Sequence, residues 1–243
     1  MTRWIPLESN PEVLNTWAEK AGLVTSQDQF SDIYGFDDEL LAMVPQPAKA
    51  VILLFPITDS LDENAKQEDE TIATEGQHPV DKTVFWMKQT IGNACGTMAL
   101  LHALANSPVT IAPESPFAKF IDECKDKTPL ERAQLLETTS HFATIHEEVA
   151  ASGQTMAPSA ESKTNLHFTC FVQAPSPPAR EDGTPVREGG MRVVELDGRR
   201  RGPVDRGQCT DFLKDVAKFV KERYVDNTTS VEFSMLALAP PPL

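Results

Sequence analysis

With 243 residues, 40% of them hydrophobic and 24% charged, the chain has the composition of a folded protein that can bury a sizeable core. Its formal net charge of −14 at pH 7 disfavours nucleic-acid binding, which needs a basic patch to neutralise phosphates. The same acidity either steers a cationic protein or peptide toward the surface or serves solubility alone. The longest apolar run, Ala50 to Pro56, is far too short to cross a bilayer, and Met1-Thr2-Arg3-Trp4-Ile5-Pro6 lacks the apolar region of a secretory signal. Cys95, Cys124, Cys170 and Cys209 are widely scattered, with no CxxC pair, which argues against a disulfide framework or a zinc site. A reducing cytoplasm or nucleus is the expected location.

Ser9-Asn10-Pro11 predicts a capped helix start with proline at its first position, and Gly22 offers the stop. Ala50 to Phe55 is a continuous run of strand formers, as expected of a strand buried on both faces. Residues 59–80 are polar and acidic and read as a solvated loop or helix. Val84-Phe85-Trp86-Met87 leads into Gln89-Thr90-Ile91-Gly92-Asn93-Ala94-Cys95, and the Ala-, Leu- and Met-rich run from Ala94 to Ala105 predicts a helix. A further helix is expected from Glu131 to Val149, followed by a small-residue stretch without periodicity. Asn165 to Gln173 alternates as a strand, with Leu166, Phe168, Cys170 and Val172 on one face and His167, Thr169, Phe171 and Gln173 on the other. A Pro- and charge-rich excursion, Ala174 to Gly190, separates it from a second strand, Met191 to Asp197, which ends at an Asp197-Gly198 turn. Phe212 to Tyr224 reads as an amphipathic helix and Val231 to Ala239 as a final strand. Interspersed helices and strands, with antiparallel neighbours around the excursion, give an α+β class.

A thiol attacks as its thiolate, which a helix N-terminus or a protonated histidine stabilises. Cys95 starts the Ala94 to Ala105 helix behind a Gly-Asn turn in which Asn93 could act as the cap. The free N–H groups there point where an oxyanion would form, and Gln89 can add an amide donor. His167, on a strand, is the candidate general base, and Asp197, at the end of the next strand, the residue that orients its ring. On spacing alone the alternative also stands: a cysteine early in a helix as a small buried residue, and a strand histidine as a structural one. Cys170 lies on the apolar face of its strand, and neither Cys124 nor Cys209 begins a comparable helix. His102 reads as a packing residue, and His141 and His146 as solvated or capping residues.

Gln89-Thr90-Ile91-Gly92-Asn93-Ala94-Cys95-Gly96-Thr97 closely resembles the nucleophile motif of the ubiquitin carboxyl-terminal hydrolases, the papain-like cysteine deubiquitinases. Asn165-Leu166-His167-Phe168 resembles the histidine strand of that family, and Glu195-Leu196-Asp197-Gly198-Arg199 its aspartate turn. Trp4 to Val13, Asp32-Ile33-Tyr34-Gly35, Met43-Val44-Pro45-Gln46-Pro47, Leu53-Leu54-Phe55-Pro56 and the end near Phe233 to Ala239 extend the match over nearly the whole chain. The resemblance implies one catalytic domain, residues 1–243, with a central antiparallel sheet, flanking helices and a knotted backbone. It implies a monomer that needs no metal or organic cofactor, whose partner is ubiquitin or a ubiquitin-like protein, with no nucleic acid and no membrane involved. In it, Cys95, His167, Asp197 and Gln89 match nucleophile, base, orienting residue and oxyanion donor. Residues 151–162, including Ser152, Gly153, Gln154, Thr155, Met156 and Ala157, are similar to the crossover loop that arches over the active site and excludes folded leaving groups. Glu8 and Asp32 resemble positions lining the cleft for the arginine-bearing tail of ubiquitin.

The excursion at 174–190 departs from the tight hairpin of the short family members. It is either a tolerated surface hairpin or, with Arg180, Arg187, Arg192 and Arg199-Arg200-Arg201, a basic contact with a partner. A non-catalytic ubiquitin-binding module and a hydrolase for a ubiquitin-like relative are the rival functions.

Overall fold

Asn10 starts the first helix, α1 (Pro11–Ala21), its side chain accepting from the N–H groups of Glu12 and Val13, as the capping rule predicts. Gly22 ends it at φ 125°, bonding back to the carbonyls of Ala18 and Glu19, and a Cβ there would sit 2.3 Å from Ser115. The computed structural model describes residues 3–155, 158–162, 164–177 and 190–242.

Six strands form one antiparallel sheet: β1 (Gln29–Asp32), β2 (Ala50–Pro56), β3 (Leu166–Pro175), β4 (Met191–Leu196), β5 (Val204–Gln208) and β6 (Ser234–Ala239), in the order β1-β6-β2-β3-β4-β5. β2 lies near the centre of this order, which explains its uninterrupted apolar run. Ala50 and Ile52 enter the core on one face, and Val51, Leu53 and Phe55 the core on the other. The first face is covered by α1, α4 (Cys95–Asn106), α5 (Pro116–Cys124), α6 (Pro129–Thr138) and α7 (Ser140–Ala150). The second is covered by α2 (Asp38–Leu41), the start of α3 (Asp59–Glu75) and α8 (Phe212–Val220), which runs on into a π-helical turn at Lys221–Val225. The α+β expectation is met. β3 alternates as read, Phe168, Cys170 and Val172 joining the first core and Phe171 the second.

Several expectations change. The helix expected from Glu131 to Val149 is two, α6 and α7, broken at Thr139, which is extended at φ −87°, ψ 95°. Thr138 and Thr139 both turn their hydroxyls onto the carbonyl of Leu135, at 2.9 and 2.8 Å, the back-bonding by which such residues compete with helix propagation. The stretch after Asp59, read as a solvated loop or helix, takes the helical alternative over 17 residues, of which only Leu61 is buried. The last strand begins at Ser234, leaving Val231 91% exposed. β1, β5 and α5 carried no sequence reading of their own. The short edge strands β1 and β5 alternate too little to signal themselves; β5 carries only Val204 inward.

Candidate active site

Cys95 is the first residue of α4, a helix whose first ten residues are all buried. An α-helix apolar all round belongs inside a core, so its N-terminus is delivered to the middle of the molecule rather than to the surface. Ala94 precedes it at φ −88°, ψ 8° with no side-chain cap, which leaves the first N–H groups and the positive end of the dipole beside the thiol. Asn93 is therefore not the cap. It stands at φ 60°, in the left-handed region that asparagine tolerates, and points its amide at the carbonyls of Trp4, Ala160 and Ser162.

β3 places His167 opposite Phe55 of β2, and the two rings meet edge to face at 5.6 Å. Asp197 follows directly after β4, the neighbour of β3, and its Oδ1 accepts from His167 Nε2 at 2.7 Å. That same oxygen accepts from the Arg199 N–H at 2.7 Å, while the Asp197 carbonyl accepts from Trp86 Nε1 at 3.2 Å. The carboxylate is thus held from the backbone side and the imidazole from the carboxylate side. Burial by itself would push the Cys95 thiol up; the His167 ring, as hydrogen-bond partner and as charge, outweighs it and holds the thiol below its ordinary value. Burial likewise opposes the His167 imidazolium, but the charge and hydrogen bond of Asp197, and then Cys95, raise it well above its ordinary value. Asp197, raised by burial but lowered more strongly by His167 and the Arg199 N–H, stays ionised.

Among the described residues no other thiol or buried imidazole has this environment. Burial pushes Cys124 and Cys209 up to about 11 and raises Cys170 further. His102 and His146 are pushed down to about 4 by burial and stay neutral. His102 spans the Met87 N–H and the Leu196 carbonyl, each at 3.2 Å, the packing role expected of it. His146 is neither solvated nor a cap. It bridges the Thr97 hydroxyl at 2.8 Å to the Ile5 carbonyl, under the ring of Trp4.

Gln89 is fixed by two contacts: its backbone N–H donates to the Gly198 carbonyl at 2.9 Å, and its Nε2 to the Ile91 carbonyl at 3.1 Å. Among the described residues one amide hydrogen stays uncommitted, and its buried Oε1 has no partner there. Gly198 is required by the close approach of the two segments, since a Cβ there would lie 2.8 Å from the Gln89 Cβ and 3.1 Å from its backbone nitrogen. Gly198→Ala should separate Gln89 from Asp197, costing about 1–3 kcal/mol through overpacking and at least tenfold in turnover. Denaturant unfolding and initial rates check both, and unchanged values would show that the turn can give way.

The remaining expected residues divide. A cavity of about 180 Å³ reaches Cys95 and is walled by Leu7, Glu8, Leu54, Thr155 and Phe168, among others. Glu8 and Thr155 therefore lie with the thiol, whereas Asp32 lies on edge strand β1 and does not line this cavity. Burial raises the Asp32 carboxyl. Ser152 turns back onto the Val149 carbonyl at 2.8 Å, Gly153 lies against Glu8, and Gln154 is exposed. Met156 and Ala157 lie outside the described residues, as do Arg180 and Arg187 of the excursion.

The arginines considered for a partner contact are largely used internally. Arg199 pairs with Asp62 at 2.7 Å, Arg200 with Glu68 at 2.9 Å and Asp69 at 2.8 Å, and Arg192 with Asp205. Arg199 and Arg200 clamp the acidic face of α3 onto the turn that carries Asp197, while Arg192 ties β4 to β5. Sequence reasoning missed the centre of this network, Glu195, which is 1% exposed and lies on β4 two residues before Asp197. It accepts from Thr169, Tyr224 and Arg206. Its signal was a lone carboxylate at an inward strand position, where a charge needs partners.

The family model described as ubiquitin carboxyl-terminal hydrolase, family 1, matches residues 4–225. The chain is 38% identical over 241 residues to ubiquitin carboxyl-terminal hydrolase 3 of Arabidopsis thaliana, covering 98% of this chain and 94% of that one. It is 36% identical over 237 residues to the Homo sapiens isozyme L1, covering 96% of each. Among solved structures, the Trichinella spiralis UCH37 catalytic domain bound to ubiquitin vinyl methyl ester aligns with a TM-score of 0.70 at 21% identity, covering 100% of this chain and 97% of that one. At that identity the likeness speaks for the fold. With the thiol at its buried helix start, the histidine–aspartate pair on adjacent strands and this match along most of its length, the chain belongs to family 1 of the ubiquitin carboxyl-terminal hydrolases, the cysteine-type deubiquitinating enzymes.

Proposed function

We propose that the chain, as a single catalytic domain over residues 1–243, hydrolyses small adducts and short peptides from the C-terminal glycine of ubiquitin, with Cys95 as nucleophile. The observation that carries this is the contrast among its thiols. Cys95 alone of the four is held below its ordinary value, and its neighbour His167 is bonded at 2.7 Å to a buried carboxylate. In this reading the thiolate attacks the glycine carbonyl carbon, and the oxyanion is held by the Cys95 N–H and the free hydrogen of the Gln89 amide. His167, as imidazolium, gives its proton to the departing amine or thiolate, leaving a thioester. It then takes a proton from water, which attacks the thioester and releases Cys95. Asp197 fixes the imidazole orientation through both steps. Glu8 and Asp32 pair with the cationic tail of the substrate, in keeping with the net charge of −14. Residues 151–162 limit the leaving group; most of the excursion at 174–190 lies outside the described residues. The structural neighbours, described as ubiquitin vinyl methyl ester complexes, support ubiquitin as the partner.

Release of a coumarin fluorophore from the C-terminus of ubiquitin, compared with a ubiquitin-like relative, tests the substrate. No release from either would refute the hydrolase reading, and faster release from the relative would reassign it. The pH profile of kcat/KM tests the mechanism. A thiol held low and an imidazole held high both favour the thiolate–imidazolium pair over the neutral pair. Activity then rises on the acid side as the pair forms and falls on the alkaline side as the imidazolium loses its proton. The acid limb is expected below the ~8.5 of a free thiol and the alkaline limb above the ~6.5 of a free imidazole. An acid limb at or above ~8.5 would refute activation of the thiol.

A further inference from the structure

Glu8 sits where the reading above needs a free carboxylate, yet it is already engaged. Its Oε2 accepts from the Thr155 N–H at 2.9 Å and from the Thr155 hydroxyl at 2.7 Å, while its Oε1 accepts from Asn10 at 2.9 Å. The Gln154 backbone N–H faces the same group, and the carboxyl is held below its ordinary value, the Thr155 hydroxyl being the largest cause. Gly153 packs so closely that a Cβ would fall 2.5 Å from Glu8 Oε2, so residues 153–155 are wrapped around this one oxygen. Glu8 and Thr155 both wall the cavity that ends at Cys95. The far side of the same loop is tied as well. Asn93, two residues before Cys95, donates to the carbonyls of Ala160 at 3.1 Å and Ser162 at 3.4 Å.

We infer that Thr155 is a specificity-determining residue, whose two hydrogen bonds strap the loop onto Glu8 and close the cavity over Cys95. The inference rests on the assignment of residues 151–162 as the loop that limits the leaving group. The two ties differ in kind. Asn93 holds from a half-buried position and from the nucleophile turn itself, so that end moves with Cys95. The Thr155 strap is exposed and rests on a carboxylate that a cation of the substrate can also take. Contest for Glu8 between Thr155 and a basic tail would free the loop at its near end only, leaving it hinged on Asn93. A charge-assisted bond of this sort is worth about tenfold in an equilibrium once solvent exposure is allowed for.

Thr155→Val removes the hydroxyl at nearly constant shape, and Thr155→Ser keeps it. Because the residue is exposed, neither change threatens the fold. The first readout is the ratio of kcat/KM for ubiquitin carrying a folded C-terminal extension to that for ubiquitin–coumarin. The second needs no ubiquitin: the rate of Cys95 alkylation by a bulky maleimide relative to iodoacetamide, mapped by mass spectrometry. Thr155→Val is expected to raise both ratios by about tenfold, with Thr155→Ser close to the parent. Parent-like ratios in Thr155→Val would overturn the strap, and so would equal rises in Thr155→Val and Thr155→Ser. If the parent hydrolyses neither ubiquitin substrate while the alkylation ratio still rises in Thr155→Val alone, the strap holds and the ubiquitin reading is what fails.

Discussion

Cys95→Ala is expected to lower kcat for ubiquitin–coumarin by about 10⁶-fold, the loss seen when the nucleophile of a hydrolytic triad is removed. In the proposed mechanism the size follows because the site works as a unit. Without a thiolate, the imidazolium, the Gln89 amide and the helix N–H groups are left organised around a reaction that has no attacking atom. Residual turnover then comes only from binding and oxyanion stabilisation. Stability should change little, because the substitution deletes one heavy atom from a residue that already borders a cavity, a cost of about 1 kcal/mol. Binding of ubiquitin, followed by calorimetry, should persist, which separates chemistry from recognition. Cys124, Cys170 and Cys209, whose thiols are all raised, should tolerate alanine without such a loss of kcat. Turnover by Cys95→Ala within tenfold of the parent would overturn the assignment.

Glu195→Ala is expected to act through stability rather than chemistry, lowering the unfolding free energy by about 3–5 kcal/mol, the cost of breaking a buried ion pair by removing one partner. Arg206, with its side chain 5% exposed, would keep Glu68 but lose Glu195, which it meets at 2.6 Å. Tyr224, whose phenol is raised by burial and by Glu195 and so remains a donor, would lose its acceptor, as would Thr169. Thr169 lies two residues from His167 and Glu195 two from Asp197, so this carboxylate bonds across the two strands next to the histidine–aspartate pair. In a domain of this size the loss corresponds to a fall in Tm of roughly 6–20 °C. Denaturant unfolding of the parent and Glu195→Ala measures it directly. A change under about 1 kcal/mol would mean that Arg206 and Glu68 suffice without Glu195.

The arginines show why a charge count misleads. Read along the chain, Arg192 and Arg199-Arg200-Arg201 look like a basic patch available to a partner. Read in the fold, Arg192, Arg199 and Arg200 are matched to Asp205, Asp62, Glu68 and Asp69, carboxylates that in α3 lie more than 120 residues away. The acidic stretch after Asp59, solvated in the sequence reading, supplies most of those partners.

Cys95, His167, Asp197 and Gln89 could be nominated from the sequence by position (a thiol at the start of an apolar helix, a histidine on a strand, a strand-end Asp-Gly turn and an amide in the loop before the helix), but spacing alone left a structural reading open, and the motif resemblance supplied their proposed roles. The elements α1, β2, α4, β3 and β4 were legible in the sequence, their periodicity and caps being set by near neighbours. Three features required the tertiary structure. Asn93 ties the loop carbonyls instead of capping α4, because its left-handed backbone turns the side chain away from the helix. Glu195 is stable only because Thr169, Tyr224 and Arg206, from three other elements, converge on it. The Thr155 strap joins residues separated by 147 positions, a contact that no local pattern encodes. Chemistry that depends on a residue and its own turn can be read from the sequence; partners supplied by distant segments are decided only when the sheet brings them together. Cys95 spans both cases, its helix start written locally and its low thiol value set by a histidine from β3.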